Sequence, residues 1–147
     1  MAEKIVSILN NKDDHIWSIG PDETVYDAIA LMADKRIGAL LVVADRRLIG
    51  IITERDYARK VILHGRSSRD TQVRDIMTSS LITVTPDHTV DECMRLVTEH
   101  RIRHLPVLDN DTLVGLISIG DLVNAIIEAQ AHTINQLHTY IAGNYPA

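Results

Sequence analysis

The chain repeats itself, and the repeat limits what it can fold into. Slid against itself by 65 residues, the sequence matches from Pro21 to Tyr57 without a gap. Pro21, Asp22, Thr24 and Val25 meet Pro86, Asp87, Thr89 and Val90. Leu31, Arg36, Ile37, Leu40 and Val42 meet Leu96, Arg101, Ile102, Leu105 and Val107, and Leu48, Gly50, Ile52 and Asp56 meet Leu113, Gly115, Ile117 and Asp121. Upstream, VSIL at 6–9 matches VRDI at 73–76 in a register shifted by two, which an insertion between Asn10 and His15 explains. An internal repeat fixes architecture before any local propensity is weighed.

Each copy carries one pattern. A short extended piece, Trp17 to Ile19 or Ile82 to Val84, runs into Pro-Asp-x-Thr. Proline cannot continue a strand ladder, and threonine suits a helix N-cap. Val25, Ala28, Ile29 and Met32 follow at helical spacing, as do Val90, Cys93, Met94 and Val97, so each helix is predicted to run about three turns. ALLVVA (39–44) and LPVLD (105–109) read as buried strands. RLIGIIT and TLVGLIS are their hairpin partners across the turns ADRR and DNDT, and a second helix follows Thr53 and Ser118.

The unit is β-α-β-β-α and about sixty residues long, a size whose core is marginal alone. The expected fold class is α/β (α+β), with two such repeats packed sheet to sheet about a pseudo-twofold axis. Residues 1–70 are expected to form the first repeat with its N-terminal segment, 71–128 the second, and 129–147 a helical extension and tail. Asp121 to Ile141 reads as one long helix ended by Gly143 and Pro146. Its apolar positions Val123, Ile126, Ile127, Ile134, Leu137 and Ile141 exceed what capping needs and suit packing on the module or on a second subunit.

Composition narrows the function. The net charge is −5, Phe is absent and aromatics make up 3 %, so neither a dense cationic surface nor a base-stacking platform is expected, and no nucleic-acid partner. The local cluster Arg55, Arg59, Lys60, Arg66, Arg69 and Arg74 does not change that expectation. No stretch is long enough to span a bilayer, and MAEKIVSILNN lacks the apolar run of a signal peptide. The single Cys93 excludes an intramolecular disulfide and reads as a small buried hydrophobe. These features predict a cytoplasmic protein without a membrane partner.

No nucleophile elbow, P-loop or paired acid and base stands out, so no enzyme and no catalytic cofactor are expected. His100 and His104 are four apart, but a helix end falls between them and no third ligand has suitable spacing, so no metal site is expected.

The chemistry concentrates in GIITERD (50–56) and its twin GLISIGD (115–121). Thr53 with Asp56, and Ser118 with Asp121, have the spacing of a capping box, and capping alone can account for both residue types. A helix N-terminus also attracts phosphate, a nearby carboxylate can hold a ribose diol, and the glycine lets the strand end approach a ligand.

The whole pattern resembles a tandem pair of CBS domains (named after cystathionine β-synthase). The second copy carries it in VRDIMTSSLITVTPDHTVDECMRL, RIRHLPVLD and GLISIGDL, the first in WSIGPDETVYDAIALM, RIGALLVVAD and GIITERDY, together covering roughly residues 5 to 128. The resemblance implies a regulatory module rather than a catalyst. It implies an adenosine-containing ligand (AMP, ADP, ATP, S-adenosylmethionine or NAD) in the clefts between repeats. It further implies a ribose held by Asp56 or Asp121 and phosphate contacts from Thr53 or Ser118. Adenine is then lined by Ile82, Thr83 and Val84 with Ile102 and Pro106, and Arg103 and His104 bind phosphate. Paired modules of this family associate as homodimers, and an effector protein is expected in trans.

The halves differ. The first has Gly38, Ala39 and Leu41 where the second has Arg103, His104 and Pro106, and it carries Arg55 opposite Gly120. The sequence therefore favours the Asp56 turn, joined by Arg55, as the better-equipped site. The alternative is a ligand-free scaffold for protein–protein contact.

Overall fold

Both hairpins turn without glycine. Asp45 and Arg46 in the first, Asn110 and Asp111 in the second, take positive φ between 50° and 65°. This is the two-residue turn whose twist matches that of its flanking strands, and Asp and Asn tolerate it best.

The structure is a computed structural model describing residues 3–12 and 16–142. In chain order its elements are α1 (Val6–Asn11), β1 (Ser18–Ile19), α2 (Val25–Lys35), β2 (Ala39–Ala44), β3 (Arg47–Thr53) and α3 (Glu54–Tyr57), which runs into a π-helical turn at Ala58–Ile62. There follow α4 (Val73–Ile76), α5 (Val90–His100), β4 (His104–Asp109), β5 (Thr112–Ser118) and α6 (Ile119–Ala142). The chain divides into two compact units, His15–Thr83 and Met1–Asp14 with Val84–Ala147.

In the His15–Thr83 unit, β1 lies parallel to β2, and β2 pairs antiparallel with β3. Val42 pairs with Gly50 but Val43 with Leu48, so Ile49 bulges out of the ladder. Helix α2 begins at Thr24, whose hydroxyl accepts the Asp27 N–H at 3.1 Å. It ends at Arg36 in the left-handed conformation, with the Ile37 N–H reaching back to the Met32 carbonyl. The core is aliphatic: Val25, Ala28 and Met32 from α2, Leu40, Val42 and Ile52 from the hairpin, and Val73 and Ile76 from α4. The Val73 N–H donates to Glu23 and the Val25 N–H to Thr71, each at about the usual length, so α4 is tied to the start of α2.

The other unit repeats this design. β4 and β5 pair antiparallel with a bulge at the matching place, and Val84 forms a parallel bridge to Val107 instead of a full strand. Thr89 caps α5 in a complete capping box with Glu92, and Arg101 ends it left-handed. Here α1 takes the part of α4: Ile5 N–H donates to His88 at 2.9 Å, and Val90 N–H to Glu3 at 2.8 Å. The N-terminal helix thus packs with the second copy of the repeat. Val90, Cys93, Val97, Leu105, Val107 and Ile117 are all buried, each 65 residues beyond a buried residue of the first copy. Helix α6 extends through Ala142; its expected stop at Gly143 and Pro146 lies outside the described residues.

Candidate functional site

The twin turns each place a hydroxyl and a carboxylate at the point where a hairpin strand becomes a helix. In the first, Thr53 ends β3 in an extended conformation and caps α3. Its hydroxyl accepts the Asp56 N–H at 3.1 Å, and Asp56 Oδ2 accepts the Thr53 N–H at 2.9 Å. Lys60 completes the turn. Its ammonium lies 3.1 Å from Asp56 Oδ1 and donates to the Ile76 carbonyl at 2.8 Å. Both oxygens of Asp56 are therefore engaged by their own unit, and the side chain is 13 % exposed. Arg55 is half-buried beside it.

The second turn is built on other residues. Ser118 Oγ accepts the Asp121 N–H at 3.1 Å, and Asp121 Oδ2 accepts the Ser118 N–H at 2.8 Å. The same Oδ2 takes the Lys12 ammonium at 2.7 Å, and Lys12 also donates to the Leu116 carbonyl at 2.8 Å. Among the described residues every bond to this carboxylate falls on Oδ2, and the side chain is 21 % exposed. Burial alone pushes the Asp121 carboxyl up, but Lys12 and the Ser118 amide outweigh it and hold the group below the usual range.

Several of the expected site residues meet at this turn. His104 pairs with Ser118 across the hairpin, and the Ile119 N–H donates to the Arg103 carbonyl at 2.8 Å. Val84 N–H donates to the carbonyl of the buried Pro106 at 3.0 Å. Ile102 is half-buried and Arg103 exposed. Burial, first, and then the charge of Lys12 push the His104 imidazole below its ordinary value, against a smaller upward pull from Asp121. Ile82 and Thr83 close the other unit as coil, half-buried and exposed respectively.

The glycines do something other than admit a ligand. A Cβ on Gly115 would lie 2.5 Å from Leu9 Cδ2, and one on Gly50 would lie 2.7 Å from Met77 Sδ. Each is small because a side chain of a short helix, Leu9 within α1 or Met77 at the end of α4, presses on the strand there. Leu9 and Met77 thus occupy the space beside these glycines in which a ligand was expected.

Part of the basic cluster is engaged locally, Lys60 by Asp56 as above. Arg74 pairs with Asp22, Arg66 stands 3.9 Å from Asp75, and Arg69 lies 3.9 Å over the Tyr26 ring. No helix among the described residues is long and apolar enough to cross a membrane. Cys93 is buried, and burial pushes its thiol up to about 11.

Two repeats of one β-α-β-β-α unit, each closing on a hydroxyl–carboxylate turn, define a class of regulatory domain known to occur in pairs. The CBS-domain pattern matches residues 7–63 and again 73–128, and the chain belongs to the CBS-domain family. It is 48 % identical to the CBS domain-containing protein CBSX3, mitochondrial, of Arabidopsis thaliana over 84 % of this chain, and spans 63 % of that protein's length. A solved protein with CBS domains from Burkholderia ambifaria MC40-6 is 54 % identical, with a TM-score of 0.84 over 86 % of this chain and 96 % of the other. The CBS domain pair of protein MJ0100, solved with 5-methylthioadenosine and S-adenosyl-L-methionine, shares the fold at a TM-score of 0.78 and 22 % identity, covering 88 % and 99 %.

Proposed function

We propose that this protein is a non-catalytic regulatory module that binds an adenosine-containing nucleotide and passes that binding to an effector protein. AMP, ADP and ATP are the first candidates; NAD and S-adenosylmethionine fit the same chemistry. The observation that carries the reading is at Asp121, whose cap and lysine bonds both fall on one oxygen. The other oxygen is an acceptor for a ribose hydroxyl. Lys12, Arg103 and His104 supply donors for phosphate around it, and the half-buried Ile102 supplies apolar surface for a purine beside the buried Val84 and Pro106. The adenosine ligands of MJ0100 lend support through the shared fold.

Asp56 enters on different terms. A ribose there must share or displace Lys60, with Thr53 and Arg55 at hand for phosphate. The two turns are therefore unequal, and Asp121 is the stronger by this geometry.

A second reading has its own observation. Both aspartates complete capping boxes, which is what a ligand-free scaffold needs of them. A thermal-shift panel of AMP, ADP, ATP, NAD and S-adenosylmethionine, with GMP and inorganic phosphate as controls, separates the two. A ligand at about 100 times its dissociation constant adds roughly 2.7 kcal/mol, or roughly 5–10 °C for a chain of this size. Such a shift from an adenosine ligand is expected; no shift from any of the five supports the scaffold.

A further inference from the structure

One strand position changes its chemistry between the two copies. His104 opens β4, and its counterpart in the first copy is the buried Ala39. His104 is half-buried and pairs across the hairpin with Ser118, whose hydroxyl accepts the Asp121 N–H. Its ring makes no hydrogen bond or ion pair among the described residues. No buried side-chain nitrogen or oxygen there lacks a partner, so the free ring nitrogens of His104 reach solvent. An imidazole beside the Lys12–Asp121 pair is therefore open to a ligand, and it is the side chain that titrates nearest neutrality.

Charges act on this ring from several sides. Lys12 comes from the segment after α1, Arg103 precedes it in the chain, and Asp121 lies in the first turn of α6. β5 carries no ionisable side chain, and none on α5 is among the groups that act on it. Burial, Lys12 and Arg103 oppose a positive charge on the ring, and Asp121 favours one. Their balance keeps the imidazole neutral at neutral pH. A phosphate dianion beside Lys12 and Arg103 reverses that balance. A protonated ring also presents two N–H donors in place of one, and bonds between charged partners are the stronger kind. We propose, resting on the adenosine reading of the Asp121 turn, that a 5′-phosphate binds there together with a proton from solvent, which the His104 imidazole receives. His104 is then the residue through which this turn prefers a phosphorylated nucleoside to the bare one and holds it more tightly in mild acid. The first copy, with alanine at that position, has no such link.

Calorimetric titration of AMP into the full-length protein near neutral pH, in two buffers of different ionisation enthalpy, counts the protons bound with the ligand. The wild type is expected to take up roughly half a proton more than His104→Gln, because glutamine keeps an amide donor but does not titrate. The phosphate of AMP, whose second ionisation falls near pH 6, contributes alike in both proteins and cancels. From about pH 7.5 to 6.5 the wild-type affinity is expected to rise about threefold relative to that of the variant. Adenosine, which lacks the phosphate, is expected to bring no proton. The link is also read in the wild type alone: AMP should raise the titration of the His104 imidazole in an NMR experiment, and adenosine should not. Equal proton counts in the two proteins, the same uptake with adenosine, or an imidazole that AMP leaves unmoved would each overturn the proposal while leaving the adenosine site standing. No binding of AMP by the wild type would overturn both.

Discussion

Lys12 and Asp121 stand 109 residues apart in the chain and meet at 2.7 Å. The lysine brings a cation to the first turn of α6, where the helix dipole alone would repel it. Asp121 and the Leu116 carbonyl offset that repulsion. The contact fixes the N-terminal segment to the turn and leaves one carboxylate oxygen for other use.

The pair predicts a specific acid response. The folded Asp121 carboxyl titrates below its ordinary value of 3.8, so on acidification the unfolded chain takes up the proton first. Its stabilising contribution is complete above that value and is lost as pH falls toward the folded one. Lys12→Met removes the ammonium and is expected to raise the Asp121 value in a carbon-detected NMR titration. Stability at neutral pH should drop by about 0.5–1.5 kcal/mol, a figure discounted for the pair's partial exposure, and less should remain to be lost in acid.

Gly115 and Leu9 predict a rescue. Gly115→Ala sets a methyl 2.5 Å from Leu9 Cδ2 and is expected to cost about 1–3 kcal/mol in denaturant unfolding. Adding Leu9→Ala removes the clash, so the double variant should be more stable than the sum of the two singles implies. Gly50→Ala should be harder to relieve. Its methyl also meets the Thr78 carbonyl at 3.1 Å, and that carbonyl is held by the Ile51 N–H at 2.9 Å.

His104 predicts a second pH effect near neutrality. Its folded value is lowered from 6.5, so the unfolded chain binds the proton more readily. The contribution is full above pH 6.5 and is lost as pH falls toward the folded value. Melting temperature should therefore rise as pH climbs from acid toward and through 6.5, and His104→Gln should flatten that limb. An anion bound beside His104 and Lys12 would pull the imidazole back up, which proton-detected NMR can follow.

Much of this structure is legible in the sequence because the repeat is read twice. The hairpins come through at Ala39–Ala44 with Arg47–Thr53 and at Thr112–Ser118, since two patterns must obey one geometry. Thr24 and Thr89 cap as their position suggests, and both capping boxes of the twin turns form. Lys60 was also within reach, because an acid followed four residues later by a base is a readable helical pair.

Other features have no local signal. Lys12 is recruited across 109 residues, and nothing near Asp121 announces it. Gly50 and Gly115 resemble ligand-facing glycines until Met77 and Leu9 are seen against them. The strand expected at Ile82–Val84 shrinks to a single bridge at Val84, although its repeat mate pairs through two residues. The π-helical turn at Ala58–Ile62 breaks the period that a sequence pattern relies on.

The central claim is that Asp121 holds an adenosine ligand in addition to capping its helix. Calorimetric titration of AMP into the wild-type protein, Asp121→Asn and Asp56→Asn tests it most directly, because asparagine keeps an oxygen for the cap and discards the charge. Saturable binding that weakens roughly ten- to hundredfold in Asp121→Asn, with a smaller loss in Asp56→Asn, is the result expected from removing a charged hydrogen-bond acceptor. Binding of equal strength in all three folded proteins, or no binding of AMP by the wild type, would contradict it.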